Sequence, residues 1–252
     1  MGVATPRTLE PAQFEAFHDV GYVRLPGFAD DATCAQMLDR VVEIARGDSG
    51  STIVMPEANL VGRSGRPEEL VSKVFKLHRD GVFASFAASP AVTDMVADLV
   101  GPDLDCFLSQ FIFKNPAAWG QPWHQDSFYF PFDPPRPIVG VWLAITRATL
   151  ENGCLHVLPG SHTEPVHAHV ADQRPNANYG YVEIVDHDMT ASTPVLMEPG
   201  DLLLFDSHLM HRSTDNDSDG IRAAMVYHYA ASGTVELSPS FVTDFLTVRT
   251  SA

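Results

Sequence analysis

The sequence contains few cysteines and no long hydrophobic run. Cys34, Cys106 and Cys154 are odd in number and far apart, which excludes a dense disulfide framework and gives no thiolate zinc motif. No apolar segment reaches the roughly 20 residues that cross a bilayer, and the N-terminal segment lacks the apolar core of a signal peptide. We therefore expect a cytoplasmic protein without a membrane span or a membrane partner.

Positive charge is also scarce, with 16 Lys and Arg residues against 32 Asp and Glu residues. The formal net charge of −16 repels phosphate backbones, so we expect no nucleic-acid partner. Three lysines occur, Lys73, Lys76 and Lys114, and a bound anion must depend on these or on local arginines. The sequence also lacks a G-x-S-x-G turn, so a serine nucleophile is not supported.

The length of 252 residues and an ordinary globular composition predict a single domain spanning residues 1–252. Its first part, to about residue 103, shows the apolar spacing of amphipathic helices, one of which Asp31 can cap. Residues 47–67 are rich in Gly, Ser and Pro and predict a long loop, either an ordinary one or a lid beside a site. Residues 233–252 are expected to form a C-terminal extension.

Strand-length apolar runs dominate residues 104–232 and are separated by clusters of turn residues. No run is followed by a clear crossover helix, so the runs predict an antiparallel sandwich or barrel. Because alternate side chains on a strand share a face, Gln110 and Lys114 are expected on one face of the first run. Phe107 and Phe113 are expected together on the other face.

The central polar feature is the segment PWHQDSFYF, residues 122–130. On an extended strand His124 and Asp126 project from the same face, while Gln125 points away. Two imidazoles and one carboxylate on one side of a metal leave positions open, which is the arrangement of non-haem iron oxygenases. An H-x-D triplet is also typical of a polar strand end, so a metal site requires a further histidine.

That histidine is available after the turn in PGDLLLF, where an apolar run leads to His208 and His211. These residues are three apart and face opposite ways on a strand, so their spacing does not choose between them. Arg222 opens the next strand, IRAAMVYHY, which we expect to be antiparallel to the preceding one. A guanidinium in an apolar strand needs an anionic partner, either a bound carboxylate or one of the many acidic side chains.

A tryptophan in the run PIVGVWLAIT is a further candidate for the site. Trp142 shares a strand face with the small residues Gly140 and Ala144, which would leave room for a ligand beside the indole. The alternative is simple packing in the core. Four histidines that follow PGSH are expected at the surface or along a substrate channel rather than as metal ligands: His162, His167, His169 and His187.

Three segments together resemble the phytanoyl-CoA dioxygenase family: HQDSFYFPF, VWLAITRATLENGCLHVLPGSH and GDLLLFDSHLMHRSTDNDSDGIRAA. The resemblance covers about residues 10–232 and is strongest between residues 104 and 230. It implies a mainly β fold, a double-stranded β-helix or jelly-roll with N-terminal helices, that binds one Fe(II) ion. In the family the distal iron histidine precedes a serine by two residues and an arginine by eleven, which matches His211, Ser213 and Arg222.

The resemblance also implies an activity. The iron ligands would be His124, Asp126 and His211, with 2-oxoglutarate and O2 as co-substrates, and Arg222 and Ser213 would hold the far carboxylate of 2-oxoglutarate. A small organic substrate would be hydroxylated with release of succinate and CO2. The aspartate disfavours halogenation, because the related halogenases lack that carboxylate. Further contacts to 2-oxoglutarate are implied at Lys73, Gln110 and Trp142.

Other functions remain open from the sequence. The chain could be a jelly-roll protein that binds a metal or a ligand without catalysis, although an intact Asp126 and Arg222 argue against this. It could also be a desaturase, cyclase or isomerase with the same iron centre. An acyl-CoA substrate would require cations for its phosphates, for which Arg63, Arg66 and Arg136 are candidates. We expect a monomer or a homodimer.

Overall fold

The computed structural model describes residues 8–47, 50–135, 137–175, 177–178 and 180–251. The α-helices of these ranges all lie in the N-terminal part of the chain, as the apolar spacing predicted. They are α1 (Pro11–Val20), α2 (Asp31–Ala45), α3 (Gly81–Ala87) and α4 (Pro90–Val100). Short 3-10 helices cover Ala58–Leu60, Pro67–Leu70, Leu77–Arg79, Asp126–Phe128 and Ser161–Thr163.

The same ranges contain fifteen strands. The strands of the N-terminal and central parts are β1 (Tyr22–Leu25), β2 (Ile53–Pro56), β3 (Val71–Phe75), β4 (Leu104–Lys114), β5 (Phe132–Asp133), β6 (Ile138–Ala144), β7 (Leu155–Val157) and β8 (Val170–Ala171). The strands of the C-terminal part are β9 (Val182–Glu183), β10 (Thr193–Val195), β11 (Leu202–Asp206), β12 (His211–Ser213), β13 (Arg222–Ala231), β14 (Val235–Glu236) and β15 (Leu246–Arg249).

Eight strands form the main sheet, in the order β1-β11-β6-β13-β4-β3-β2 with β15 also paired to β4. A second sheet has the order β10-β7-β12, and the pairings in both sheets are antiparallel. The predicted mainly β jelly-roll with N-terminal helices is therefore confirmed. Arg222 does not pair with the strand before it, however, because β12 lies in the second sheet and β13 in the main sheet.

Helix α2 shows how the N-terminal helices attach to the main sheet. Its side chains Met37 and Val41 are fully buried and belong to the hydrophobic cluster that includes sheet residues. Each fully buried side chain of this kind contributes roughly 1.5–3 kcal/mol. The helix is capped by Asp30, whose side chain accepts a hydrogen bond from the backbone N–H of Thr33. The predicted cap at Asp31 was wrong by one residue, since Asp31 is already helical.

The two faces of the main sheet have different neighbours. On β13, the hydroxyls of Tyr227 and Tyr229 donate to the carbonyls of Phe83 and Ala87 in α3, both at 3.0 Å. The opposite face, which includes Trp142, packs against the second sheet in a separate hydrophobic cluster. A cavity lies between the two sheets. Strand residues whose side chains point to this second face can therefore reach it.

The regular alternation of side chains along β4 ends at a bulge. The register of β4 against β13 shifts between His228 and Tyr229, which leaves one extra residue on β4. Phe107 occupies that position and was predicted to share a face with Phe113. Its ring instead packs against the ring of Phe130, with the two ring centroids 5.0 Å apart. The prediction for Phe107 was wrong because an extra residue changes the direction in which the side chain points.

The described part of segment 47–67 is more ordered than the predicted loop. It contains β2, which pairs with β3 at the edge of the main sheet. Pro56 and Glu57 line the cavity, and Glu57 is 1% exposed. No single helix of the described ranges is long and apolar enough to cross a membrane; only the bent pair α3 and α4, taken together, has that length and composition.

Candidate metal centre

Two short segments bring two histidines and one aspartate together on the cavity wall. His124 forms an isolated bridge with His211, in which each backbone N–H donates to the other residue's carbonyl, at 2.9 and 3.0 Å. Asp126 begins a 3-10 helix, so the predicted strand geometry of the H-x-D triplet was wrong at its third residue. The turn still directs the carboxylate at the histidines, with its Oδ1 3.5 Å from His124 Nε2 and 3.8 Å from His211 Nε2.

Backbone hydrogen bonds fix which ring nitrogen of each histidine faces the metal position. His124 Nδ1 bonds to the carbonyl of Pro122 at 2.8 Å, and His211 Nδ1 bonds to the carbonyl of Leu209 at 2.9 Å. Because a carbonyl oxygen can only accept, each Nδ1 must carry the hydrogen, and each neutral ring presents a lone pair at Nε2. Metal-binding histidines are oriented in this way. Two imidazole nitrogens and one carboxylate oxygen fit Fe(II).

The aspartate is oriented by a buried histidine of β13. His228 is 1% exposed, and its Nε2 donates to Asp126 Oδ2 at 2.6 Å, which leaves Oδ1 for the metal. Burial alone would raise the pKa of Asp126, but the positive potential of His228 and His211 and the hydrogen bonds lower it well below its usual value. Burial, with the charge of His124, lowers the pKa of His211 to about 4. An ionised carboxylate and a neutral imidazole are the forms that bind metals.

The opposite end of the cavity carries positive charge. Lys114 and Arg222 are direct partners in the register of β4 and β13, and they are only 3% and 1% exposed. Lys114 Nζ donates to Ser213 Oγ at 2.7 Å, and Arg222 Nη2 donates to the carbonyl of Gly153 at 3.0 Å. Burial lowers the pKa of Arg222 to about 10, and burial together with the charge of Arg222 lowers the pKa of Lys114 well below its usual value.

The surroundings of Arg222 and Lys114 are suited to an anion. Within the described chain, Arg222 Nε and Nη1 have no hydrogen-bond partner and Arg222 forms no ion pair, which argues against the alternative of a salt bridge to an acidic residue. Buried cations of this kind are costly unless an anion compensates them, and a guanidinium matches a carboxylate well. His211 and Ser213 lie two residues apart on β12, roughly 7 Å of strand, and Ser213 accepts the hydrogen bond from Lys114. A diacid bound at Arg222 would extend along the cavity toward the metal ligands.

Trp142 lies on the cavity face as predicted, but with less room beside it than expected. Its ring centroid is 5.8 Å from the guanidinium carbon of Arg222, and its Nε1 has no partner among the described residues. The space next to Gly140 is filled by the ring of Phe205, because a Cβ built on Gly140 would lie 2.2 Å from that ring. Trp142 therefore lines the cavity with an indole N–H that no described residue accepts, and Gly140 makes room for the ring of Phe205.

The structure brings Lys73 and Gln110 to the same wall and keeps His208 away. Lys73 on β3 donates to Gln121 Oε1 at 3.1 Å, and Gln110 on β4 lines the cavity. Burial lowers the pKa of Lys73 to about 8, although the charge of Asp126 opposes this. His208 Nδ1 instead bonds to the carbonyl of a loop residue, Glu164, at 3.0 Å.

Sequence reasoning missed three contributors to this site. Lys114 was placed on the right face of its strand but was given no role, although it is one of three lysines in the chain. His228 lies six residues after Arg222, and that even spacing on one strand was the signal that could have identified it. Gln121 Nε2 donates to His124 Nε2 at 2.9 Å, and no sequence pattern indicated this contact. His162 was predicted at the surface or along a substrate channel, but it is only 7% exposed and does not line this cavity.

The cavity between the sheets has a volume of about 420 Å³. Apart from Asp126, the side chains beside His228 include the aromatic rings of Phe130 and Phe205, whereas Lys114 lies beside Arg222. Phe128 and Phe241 also line the cavity and are 41% and 52% exposed, which marks the mouth. The apolar part of the wall includes Phe75, Leu108, Phe128, Tyr129, Phe130, Phe241 and Val242.

Comparison with known proteins gives a family match over most of the chain. The family model described as phytanoyl-CoA dioxygenase (PhyH) matches residues 17–224. The peroxisomal phytanoyl-CoA dioxygenase of Bos taurus is 30% identical over 88% of this chain and 68% of its own length. The phytanoyl-CoA dioxygenase domain-containing protein 1 of Rattus norvegicus is 30% identical over 90% of this chain and 92% of its own.

Solved structures with the same fold include enzymes that differ in reaction. The non-haem monooxygenase ThoJ, in its apo form, superposes with a TM-score of 0.73 at 24% identity, over 95% of this chain and 84% of its own. The epimerase SnoN, in complex with Fe3+, alpha-ketoglutarate and nogalamycin RO, has a TM-score of 0.69 at 19% identity, over 90% of this chain and 87% of its own. The carbocyclase SnoK has a TM-score of 0.68 at 17% identity, over 98% of this chain and 100% of its own. At these identities the likeness shows the fold alone.

Proposed function

This chain belongs to the phytanoyl-CoA dioxygenase family, and we propose that it hydroxylates a small, mainly apolar substrate. Its family makes it an iron- and 2-oxoglutarate-dependent oxygenase. The observation that carries the proposal is the arrangement of one cavity. Two histidines and an aspartate converge on one part of its wall, and a buried arginine without an ion pair among the described residues lies beside Lys114 on another part.

Each part of the cavity has a distinct task in this proposal. His124, Asp126 and His211 would hold Fe(II) through two Nε2 atoms and Oδ1. Arg222 and Lys114 would bind the distal carboxylate of 2-oxoglutarate, whose single negative charge would offset part of their positive charge. When bound, iron, 2-oxoglutarate and O2 supply the oxidative decarboxylation that yields succinate and CO2. The protein would orient 2-oxoglutarate and the organic substrate relative to each other, and its apolar wall would exclude water.

Four further residues support the co-substrate in this proposal. Ser213 accepts a hydrogen bond from Lys114 and so aligns the ammonium group with the neighbouring guanidinium. Trp142 offers its N–H to the cavity, and Gln110 and Lys73 line the wall between the cationic end and the metal ligands. Their polar groups are placed to donate to the oxygens of a bound diacid.

Hydroxylation is the outcome that the metal ligands favour over halogenation. Asp126 is present and held by His228, so the position that a halide would need is filled by a carboxylate oxygen. The related folds of an epimerase and a carbocyclase show that this scaffold also carries other oxidative reactions. Which bond forms after oxidation of the substrate depends on how the substrate is placed, so the test must identify the product.

The cavity mouth supports an apolar substrate over an acyl-CoA. The wall beside His228 is aromatic and aliphatic, and the net charge of −16 opposes a polyphosphate. Of the arginines considered for CoA phosphates, Arg66 is already paired with Glu69 at 2.7 Å. Arg63 is exposed, and Arg136 lies outside the described residues.

The test is a succinate assay with product identification. Apo protein is loaded anaerobically with Fe(II) and 2-oxoglutarate, mixed with O2, and screened against neutral aromatic and aliphatic molecules and against acyl-CoA thioesters. We expect succinate to rise with an apolar compound that gains one oxygen atom by mass spectrometry. Asp126→Ala should abolish this, and His18→Gln, an exposed histidine on α1, should not.

Two results would contradict the proposal. Turnover that persists in the Asp126→Ala variant would remove the metal site from the mechanism. Tight binding of 2-oxoglutarate and iron without succinate formation for any substrate class would favour the non-catalytic alternative. A desaturated, cyclised or epimerised product would retain the enzyme class but replace hydroxylation.

A further inference from the structure

A second group of metal-binding side chains lies outside the cavity wall. Glu164, His167 and His187 offer one carboxylate oxygen and two ring nitrogens that all lie within 4.8 Å of one another. His167 Nε2 is 2.8 Å and His187 Nε2 is 3.1 Å from the same atom, Glu164 Oε2. None of the three residues lines the cavity of the iron triad. We propose that this cluster binds a divalent transition-metal cation of the zinc class.

The orientation of one ring points to a cation. His187 Nδ1 bonds to the carbonyl of Asp188 at 3.1 Å, and that oxygen can only accept, so Nδ1 carries the hydrogen. The neutral ring then presents the lone pair of Nε2 to an ionised carboxylate of Glu164, which is repulsive. The contact becomes attractive only if a second proton or a metal ion lies between the two groups. The geometry thus requires a positive species at this point.

The donor set and spacing suit zinc. Two imidazole nitrogens and one glutamate oxygen are the protein ligands of one well-known zinc class, which keeps a fourth position for water. With metal–ligand distances of about 2.0–2.1 Å, tetrahedral ligands lie roughly 3.3 Å apart. The contacts of 2.8 and 3.1 Å need to open only slightly to admit the ion. The side chains of Glu164, His167 and His187 are 38%, 22% and 20% exposed, so an ion and a water molecule can reach them.

The cluster joins two loop segments that both form hydrogen bonds with the segment that carries His124 and Asp126. Gln125 lies between His124 and Asp126 and is fully buried; its Oε1 accepts from the backbone N–H of His167 at 2.8 Å. On the other segment, the N–H of Ile184 donates to the carbonyl of Trp123 at 2.8 Å. A cation shared by the two segments would therefore clamp them together over residues 123–125. Its role would be structural support of the iron ligands.

The second site can be measured separately from the iron triad. The variant His124→Ala/His211→Ala removes the triad, and Zn2+ is titrated into its metal-free form against a chromophoric chelator. We expect one equivalent of Zn2+ to bind and to raise the thermal midpoint. Adding His187→Ala should weaken that binding about 100-fold or more and remove the thermal shift, whereas adding His18→Gln should change neither.

Wild-type protein provides a second measurement if the triad variant folds poorly. It should bind two equivalents of Zn2+, and His187→Ala should bind one. The proposal is overturned if the triad variant binds no Zn2+ in the micromolar range, because a proton then accounts for the ring orientation. Equal binding with and without His187→Ala overturns it as well. Since neither readout uses turnover, failure here leaves the oxygenase assay unaffected, and the converse also holds.

Discussion

At the scale of single residues, the candidate metal centre is held by groups that would not contact the metal themselves. Backbone carbonyls fix the ring nitrogens of His124 and His211, and His228 fixes the carboxylate of Asp126. Such supporting hydrogen bonds commonly change metal affinity by 10- to 100-fold. The proposed 2-oxoglutarate site depends on a similar effect, because Lys114 and Arg222 are held close together before any anion binds.

The role of His228 can be tested with two substitutions. His228→Phe removes the donor to Asp126 while filling the buried space, and we expect Co(II) affinity to fall roughly 10- to 100-fold. His228→Gln keeps an N–H near the position of Nε2 and should retain most of the affinity. The measurement is the visible absorption of Co(II) titrated into apo protein. If both variants bind as wild type, the orientation of the carboxylate does not depend on this histidine.

Lys114 is expected to bind the co-substrate, although the sequence analysis assigned it no specific contact. Loss of a charged hydrogen bond is worth about 1.5–3 kcal/mol, so Lys114→Met should weaken 2-oxoglutarate binding roughly 10- to 150-fold. The shift in thermal midpoint produced by a fixed concentration of 2-oxoglutarate should shrink accordingly. Lys76→Met is the matched control, because Lys76 does not line the cavity. An unchanged shift in the Lys114 variant would exclude it from the anion site.

At the scale of elements, the position of the H-x-D segment depends on close backbone contact with β12. Gly120 lies so near this strand that a Cβ built on it would be 2.0 Å from the carbonyl oxygen of Ser213. The N–H of Ser213 in turn donates to the carbonyl of Gln121 at 3.0 Å. A side chain at Gly120 would therefore separate the two segments that carry the metal ligands.

Gly120→Ala should reduce both stability and metal binding. Overpacking of this kind typically costs about 1–3 kcal/mol, and the displaced segment should bind Co(II) more weakly. Urea unfolding gives the first quantity and the absorption titration gives the second. Gly220→Ala serves as the control, since a Cβ there meets nothing within 4 Å. Equal losses in both glycine variants would show that the contact with Ser213 is not the cause.

Alternation along strands predicted much of this site, and irregular backbone limited the rest. Gln110, Trp142 and Arg222 lie on the cavity face because side chains on regular strands alternate. The predicted strand face of Phe107 was wrong because a bulge adds one residue to β4. The predicted extended backbone at Asp126 was wrong because a 3-10 turn follows His124. Neither a bulge nor a single 3-10 turn has a hydrophobic period that a sequence displays.

At the scale of the whole molecule, distant parts of the chain complete the cavity. The segment near residue 57, the central strands and the C-terminal segment all contribute to its wall. The C-terminal residues were predicted as an extension, yet β15 pairs with β4 in the main sheet. Asp244 also binds Arg79, with Nε and Oδ2 2.6 Å apart. This ion pair joins the C-terminal segment to the N-terminal part and fixes the residues at the cavity mouth.

Substitution of Phe241 should therefore weaken binding of the substrate and leave binding of 2-oxoglutarate unchanged. Its ring lines the mouth, and full burial of a phenylalanine contributes roughly 1.5–3 kcal/mol, so loss of a half-buried ring should cost about 1 kcal/mol. In Phe241→Ala we expect KM for the apolar substrate to rise about fivefold, with KM for 2-oxoglutarate unchanged. Leu237→Ala is the control, because Leu237 is 65% exposed and lies outside the cavity. A parallel rise in both KM values would mean that the C-terminal segment supports the whole site and does not form its substrate end.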